Sequence, residues 1–255
     1  MYRYFLYMSY NGTRYCGWQK QHNAPTVQAT VEEALQKLLH TSTDVTGAGR
    51  TDTGVHARYY VAHFDTHQEI TNKKDFLHRL NAVLPYDIAV FDLRRVAEDA
   101  HARFSAICRS YQYHIEQHKN PFTVDYAWQI HYTLDIDLMN QAANFLKEMN
   151  DFTAFAKLHS NNTTNYCTVF HAVWTQQGNE WIFTISANRF LRNMVRAIVG
   201  NMVDVGRKKL PLEEFKKRAL MGDRSLASTS APAKGLFFTF VEYPQTIFLE
   251  NVVEN

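Results

Sequence analysis

Gly47-Ala48-Gly49-Arg50-Thr51-Asp52-Thr53-Gly54-Val55-His56-Ala57 sets one basic and one acidic side chain, two residues apart, in a frame of three glycines. Glycine permits positive φ and lets another backbone or a ligand come close. A carboxylate in such a loop is presented at a surface, and scaffold-held loops are where chemistry concentrates. Two readings fit Asp52-Thr53-Gly54. One is an Asx-type turn, in which the carboxylate accepts a backbone amide two residues on. The other is a reactive carboxylate. Aspartic proteases also carry Asp-Thr-Gly, but that chemistry needs two carboxylates sharing a proton. The chain holds no second Asp-Thr-Gly or Asp-Ser-Gly. Its helical segments do not suit the short all-β proteases that gain a second copy by dimerising.

The segments around this loop read as alternating strands and helices. Tyr2 to Tyr10 is a strand rich in β-favouring aromatics. Val27, Val31, Leu35, Leu38 and Leu39 share a helical face, with Asn23 or Thr26 as cap and Pro25 close to its start. Thr43 to Thr46 is a short candidate strand, and Tyr59 to Phe64 a longer one. Asn72 caps a helix carrying Phe76, Leu77, Leu80 and Leu84, which Pro85 stops. Ile88 to Leu93 returns as a strand. Tyr111, Tyr113 and Ile115 then alternate with Gln112, His114 and Glu116, a half-buried strand. Leu138, Ala142, Phe145, Leu146 and Met149 form a helical stripe. Tyr166 to Thr175 and Trp181 to Ala187 make a hairpin around Gly178-Asn179. Helices over Phe190 to Val205 and Leu212 to Leu220, and a strand over Phe237 to Glu242, complete the pattern. The order is α+β, a strand–helix–strand–strand–helix–strand half used twice, with a seam near residue 105. The tail from Ile247 fits an added strand, an interface piece or a frayed end.

The 255 residues suffice for one large domain or two modest ones. With 45% hydrophobic and 20% charged residues, the composition is that of a globular protein. No run of about 18 apolar residues exists, so no membrane span is expected. The N-terminus lacks the pattern of a signal peptide. Cys16, Cys108 and Cys167 lie far apart and suit a reducing cytosol better than a disulfide framework. The twelve histidines show no metal-ligand spacing. His63 and His67 are four apart, but in a strand-like context that denies them a shared helical face. The net charge of +2 does not by itself announce nucleic-acid binding, which a local patch can still supply. One such patch is legible. On helical spacing Leu191, Met194, Val195, Ile198 and Met202 make an apolar face, while Arg189, Arg192 and Arg196 fall together opposite it. A solvated basic face and a phosphate-contacting one both fit.

The eleven-residue loop resembles the signature of the TruA family of tRNA pseudouridine synthases, and the likeness extends along nearly the whole chain. Tyr10-Asn11-Gly12-Thr13-Arg14-Tyr15-Cys16-Gly17-Trp18-Gln19-Lys20-Gln21 resembles the family's opening block, with Asn11 where Asp is usual. Asn81 to Pro85, Ala102 to Ala106, Arg109 to Tyr113 and Phe190 to Gly200 resemble four more. Thr53 stands where Ala is common, and Arg192-Asn193 where His-His is frequent. The resemblance implies two similar halves whose mainly antiparallel sheets join around a central catalytic cleft. Residues 1–104 would carry the catalytic loop, and 105–255 the base-stacking tyrosine and the basic helix.

It further implies an isomerase that converts uridine to pseudouridine at positions 38, 39 and 40 of the tRNA anticodon stem-loop. The reaction breaks the N1–ribose bond, turns the base and rejoins it through C5. Nothing is oxidised and no group departs, so no cofactor or metal is expected. Asp52 is the implied nucleophile, Arg196 its cationic partner, and Tyr111 the platform that stacks on the target uracil. Arg50 would help turn the nucleotide out of the RNA stack, and Arg189 and Arg192 would meet phosphates. Attack at the ribose C1′, attack at the base C6 and a glycal path all remain open. A cytoplasmic homodimer with tRNA as partner completes the expectation. A noncatalytic RNA-binding protein on the same scaffold, and a hydrolase using Asp52, are the other readings. The intact set of Asp52, Arg196 and Tyr111 speaks against the first, and the lack of a paired carboxylate motif against the second.

Overall fold

The aromatic-rich opening folds as the strand β1 (Tyr2–Tyr10) in the computed structural model, which describes residues 1–157 and 163–249. After it come α1 (Val27–Leu39), β2 (Thr46–Gly47), β3 (His56–Thr66), α2 (Lys73–Val83) and β4 (Ile88–Val96). The order continues with β5 (Cys108–Glu116), β6 (Trp128–Gln129), α3 (Ile136–Phe145), β7 (Val169–Gln177) and β8 (Glu180–Ala187). It closes with α4 (Met194–Gly206), α5 (Leu212–Met221) and β9 (Leu236–Glu242). The chain divides into two units, Met1–Ile107 with the residues from Phe238 onward, and Cys108–Phe237.

In the first unit β1 lies between β3 and β4, antiparallel to both, with Leu6 opposite Ala62 and Leu93. Both faces of β1 are covered, so its side chains are buried with little alternation. On one face Tyr4 stacks on Phe64 at 5.9 Å, and Phe64 on Phe76 of α2 at 6.3 Å. On the other, Phe5 meets Tyr243 at 4.8 Å and Phe248 at 6.3 Å. Thr26, not Asn23, caps α1, its hydroxyl accepting from Ala29 N. Asn72 caps α2 by accepting from Asp75 N. Such caps are each worth about 1 kcal/mol. The strand expected over Thr43 to Thr46 is reduced to β2, whose Gly47 pairs with Ala62. Of the tail, Ile247 and Leu249 bond to the backbone of Ala97 and Arg95 beside the end of β4. Residues 250–255 lie outside the described residues.

In the second unit β5 pairs antiparallel with β8, Tyr111 opposite Ile185 and Tyr113 opposite Phe183. A hairpin with Gly178 at φ 61° joins β7 to β8. Three expectations change here. The strand β5 is not half-buried throughout, for His114 and Glu116 are 4% and 5% exposed. His114 packs on Phe237 at 4.9 Å and bonds to Glu180 at 2.8 Å. The helix expected from Phe190 begins only at Met194, because Asn193 takes the left-handed conformation at φ 64°. It is also buried nearly all round, with Arg196 and Asp204 its half-exposed members. It therefore carries no basic stripe. Arg189 and Arg192 sit on the irregular segment leading into it, and only Arg196 is on the helix.

The seam falls at 107/108, and the chain from Phe238 groups with the first unit. There Phe238 packs on Tyr60 at 5.2 Å and Phe240 on Tyr59 at 5.7 Å. These contacts span nearly 180 residues of chain, which local periodicity cannot register. No helix among the described residues is long and apolar enough to cross a membrane.

Candidate active site

The loop 47–56 is clamped by the segment 10–18, so the two glycine-bearing blocks of the sequence meet. Tyr10 Oη and Thr51 Oγ1 share a hydrogen bond of 2.9 Å. Trp18 N donates to Thr51 O, and Gly54 N to Tyr15 O. Gly12 N donates to His56 Nδ1 at 3.1 Å. Gly17, at φ 87°, presses against the backbone of Thr51 and Asp52, where any Cβ would collide. Underneath, Tyr60 packs on Trp18 at 4.4 Å, and its hydroxyl donates to Gly49 O. Asn11, at the position where aspartate is usual, accepts from Thr13 N and caps the short turn 12–14. Asparagine and aspartate cap about equally well, so the departure keeps the local fold.

Asp52 is half-buried at the tip of this clamped loop. Val55 N donates to Asp52 O at 3.1 Å, closing a turn with Gly54 at φ 77°. That φ at the third position suits a type II turn. The amide that an Asx turn would offer to the Asp52 carboxylate, Gly54 N, donates to Tyr15 O. Arg50 is exposed, and its Nε donates to Gln19 Oε1 at 3.2 Å. It lines a cleft with Trp18 and Gln19 that Asp52 does not line.

The other predicted residues belong to the second unit. Tyr111 is 8% exposed on β5 and makes a T-shaped contact with Phe190 at 5.0 Å. Tyr113, two residues on, is fully buried and donates to Pro232 O, a core residue whose hydroxyl is pushed to a higher pKa by burial. Arg196 stands in the first turn of α4. Its Nε donates to Ala231 O at 2.7 Å, and its own carbonyl accepts from Ala231 N at 2.9 Å. Asn193 Nδ2 donates to Ser230 Oγ, and Ser228 N to Asn201 Oδ1, so the segment 228–231 is strapped along the helix. A guanidinium fixed through Nε presents its remaining donors in a set plane, the arrangement that recognises carboxylates and phosphates. Arg192 is exposed, and its carbonyl accepts from Lys157 N. Arg189 is half-buried, close enough to Cys167 to oppose the burial that pushes that thiol up to about 11. Among the described residues no group of three His, Cys, Asp or Glu is placed to hold a metal ion.

A family model described as tRNA pseudouridine synthase matches residues 6–105 and 142–244. A protein of Bacteroides thetaiotaomicron named tRNA pseudouridine synthase A is 49% identical over 253 residues, 98% of this chain and 94% of its own length. One of Bacteroides fragilis with the same name is 49% identical over 96% of this chain and 98% of its own. That of Azobacteroides pseudotrichonymphae is 48% identical over 97% and 99%.

Proposed function

We propose that this chain, which belongs to the tRNA pseudouridine synthase family, isomerises uridine to pseudouridine in tRNA with Asp52 as its essential carboxylate. The observation that carries the reading is the clamped loop. Hydrogen bonds with Tyr10, Gly12, Tyr15 and Trp18 hold it, and its half-exposed aspartate stands on a turn closed by Val55 N and Asp52 O. Preorganised charge of this kind stabilises a transition state without reorganising during the reaction.

In this reading Asp52 acts at C1′ or C6, or supports a glycal path. Arg196 serves as the cationic partner of that carboxylate, for which a planar guanidinium is suited. Tyr111 stacks on the uracil, and Arg50 occupies the gap left as the nucleotide turns out of the stack, a step costing a few kcal/mol. Arg189 and Arg192 meet phosphates from the irregular segment before α4. The family resemblance supports uridines 38, 39 and 40 of the anticodon stem-loop as targets, and a cytoplasmic homodimer as the working form. Sedimentation of the pure protein, alone and with tRNA, tests the dimer.

The decisive assay is mass mapping of pseudouridine in unmodified tRNA incubated with the pure protein. Asp52→Asn is expected to abolish product while keeping tRNA affinity within about tenfold, since phosphate contacts supply most of the affinity. Turnover near wild type in that variant, with deamidation excluded, would sink the assignment.

A further inference from the structure

The block Ala102 to Ala106 resembles the family's sequence, yet nothing in the reaction scheme above uses it. It forms a tight turn fixed to the sheet of the first unit. Ala102 N donates to His63 Nδ1 at 3.1 Å, and Tyr243 Oη donates to Ala102 O at 2.7 Å. His101 Nδ1 accepts from Arg103 N and Phe104 N, and Ser105 Oγ accepts from His101 N. The product of this hydrogen bonding is a phenylalanine left 74% exposed. Its ring lies 4.4 Å from His101 and beneath the Arg103 guanidinium at 5.4 Å.

Phe104 and Arg103 line a cleft of about 200 Å³ together with Gln19 and Arg50. That volume is below the roughly 300–1,000 Å³ of sites for drug-sized ligands and suits a single planar base. The residues around Gln19 are as firmly set as the turn at Phe104. Gln28 donates to Glu32 Oε1 and Val45 O and accepts from Lys20 N and Gln19 Nε2, which uses its full capacity. Gln19 in turn holds Arg50 through Nε. The terminal nitrogens of Arg50 make no hydrogen bond among the described residues. An exposed aromatic face with two guanidiniums at one cleft is the arrangement that binds single-stranded RNA, rings taking the base and cations the phosphates.

We infer that this cleft is a second nucleotide subsite, which receives one unstacked nucleotide of the single-stranded RNA flanking the target uridine. The base stacks on Phe104, and its phosphates meet Arg103 and Arg50. The inference rests on the reading of the chain as a tRNA-modifying enzyme and adds a contact in a cleft that Asp52 does not line. Arg50 links the two regions through the chain, its side chain in the cleft and its backbone in the catalytic loop, so in this arrangement its guanidinium serves the flanking phosphate in place of filling the gap left by the target nucleotide.

The test uses the whole protein and anticodon stem-loop RNAs in which single nucleotides flanking the target lack a base. Kd and single-turnover pseudouridine formation at saturating enzyme are both read. With intact RNA, Phe104→Ala is expected to bind about 5- to 150-fold more weakly, with Phe104→Trp close to wild type. One abasic position should weaken wild type by a similar factor and leave Phe104→Ala unchanged. Arg103→Gln should lower the salt slope of binding by about one. If Phe104→Ala binds intact RNA within twofold of wild type, or loses as much as wild type at every abasic position, the subsite is wrong while the enzyme assignment stands. If the wild type binds these RNAs but forms no pseudouridine, the enzyme assignment falls, and the abasic scan still decides the cleft. If it does not bind them, both fall.

Discussion

Tyr111 and Arg196 show how differently two predicted residues are held. Tyr111 is a strand residue in a T-shaped contact with Phe190. A tyrosine there could serve as a simple core residue, and Tyr113 on the same strand does so. If Tyr111 stacks on uracil, the ring face matters and the hydroxyl does not. Tyr111→Phe should then keep most of the single-turnover rate, while Tyr111→Ala loses stacking worth about 1–3 kcal/mol. Equal damage in both variants would point to proton transfer through the hydroxyl and remove the stacking role. Arg196, by contrast, is fixed through Nε to Ala231 O and is the one basic residue on α4. If Arg196 serves the Asp52 carboxylate as proposed, Arg196→Ala should cut the single-turnover rate at saturating enzyme, where binding no longer limits. Weaker binding with an unchanged single-turnover rate, as expected of Arg192→Ala, would refute the pairing.

At the scale of elements, local signals were legible and tertiary ones were not. β1 and α2 could be read to within a residue or two because strand composition, Asn72 and Pro85 act on their own neighbours. The start of α4 could not, since the Phe190–Val205 pattern is helical in period while Asn193 turns left-handed against Ser230. Asn193→Gly should keep the fold, and Asn193→Val should cost about 1–2 kcal/mol in denaturant unfolding, because a β-branched residue resists that conformation. No difference between the two would contradict the assignment of the break. The loop carrying Asp52 was legible through its glycines, but the clamp by Tyr10 and Trp18 joins residues more than thirty apart. The turn around Phe104 was visible only as an unassigned block, because its anchor is His63 on β3. That anchor makes a pH prediction. Burial, then the charge of Arg3, lowers the His63 pKa from 6.5 to about 4, so the folded protein holds the ring neutral. The stability this contributes is complete above about pH 6.5 and disappears as the pH falls through about 4. It amounts to about 3 kcal/mol at most. His63→Gln can still accept from Ala102 N but does not titrate. Denaturant unfolding at pH 7 and pH 4.5 should show a larger acid loss in wild type than in this variant, and equal losses would exclude His63 as the cause.

At the scale of the whole molecule, the charges must be concentrated, since 27 basic against 25 acidic residues leave a net of only +2 for a polyanionic partner. Many of the cations are already committed within the fold. Arg3 is paired with Asp65 at 2.7 Å, Lys20 with Glu32 at 2.9 Å and Arg95 with Glu69 at 2.6 Å. The arginines proposed to meet phosphate are Arg50 and Arg103 in the first unit and Arg189 and Arg192 in the second. Each phosphate neutralised releases condensed counterion, so affinity falls as a power of salt concentration. Four contacts give a slope of log K against log salt of about −3, or a loss of roughly sixtyfold between 50 and 200 mM. A tRNA titration across that range measures it. Arg→Ala at any of the four should make the slope shallower by about one. Arg196→Ala should leave it unchanged, because its assigned partner is a carboxylate of the protein. The two classes of arginine are thus separated by one physical quantity that does not depend on turnover. A slope near zero in wild type would mean that phosphate contacts do not supply the affinity. A slope that shallows by one in Arg196→Ala would move that residue from the carboxylate to the RNA.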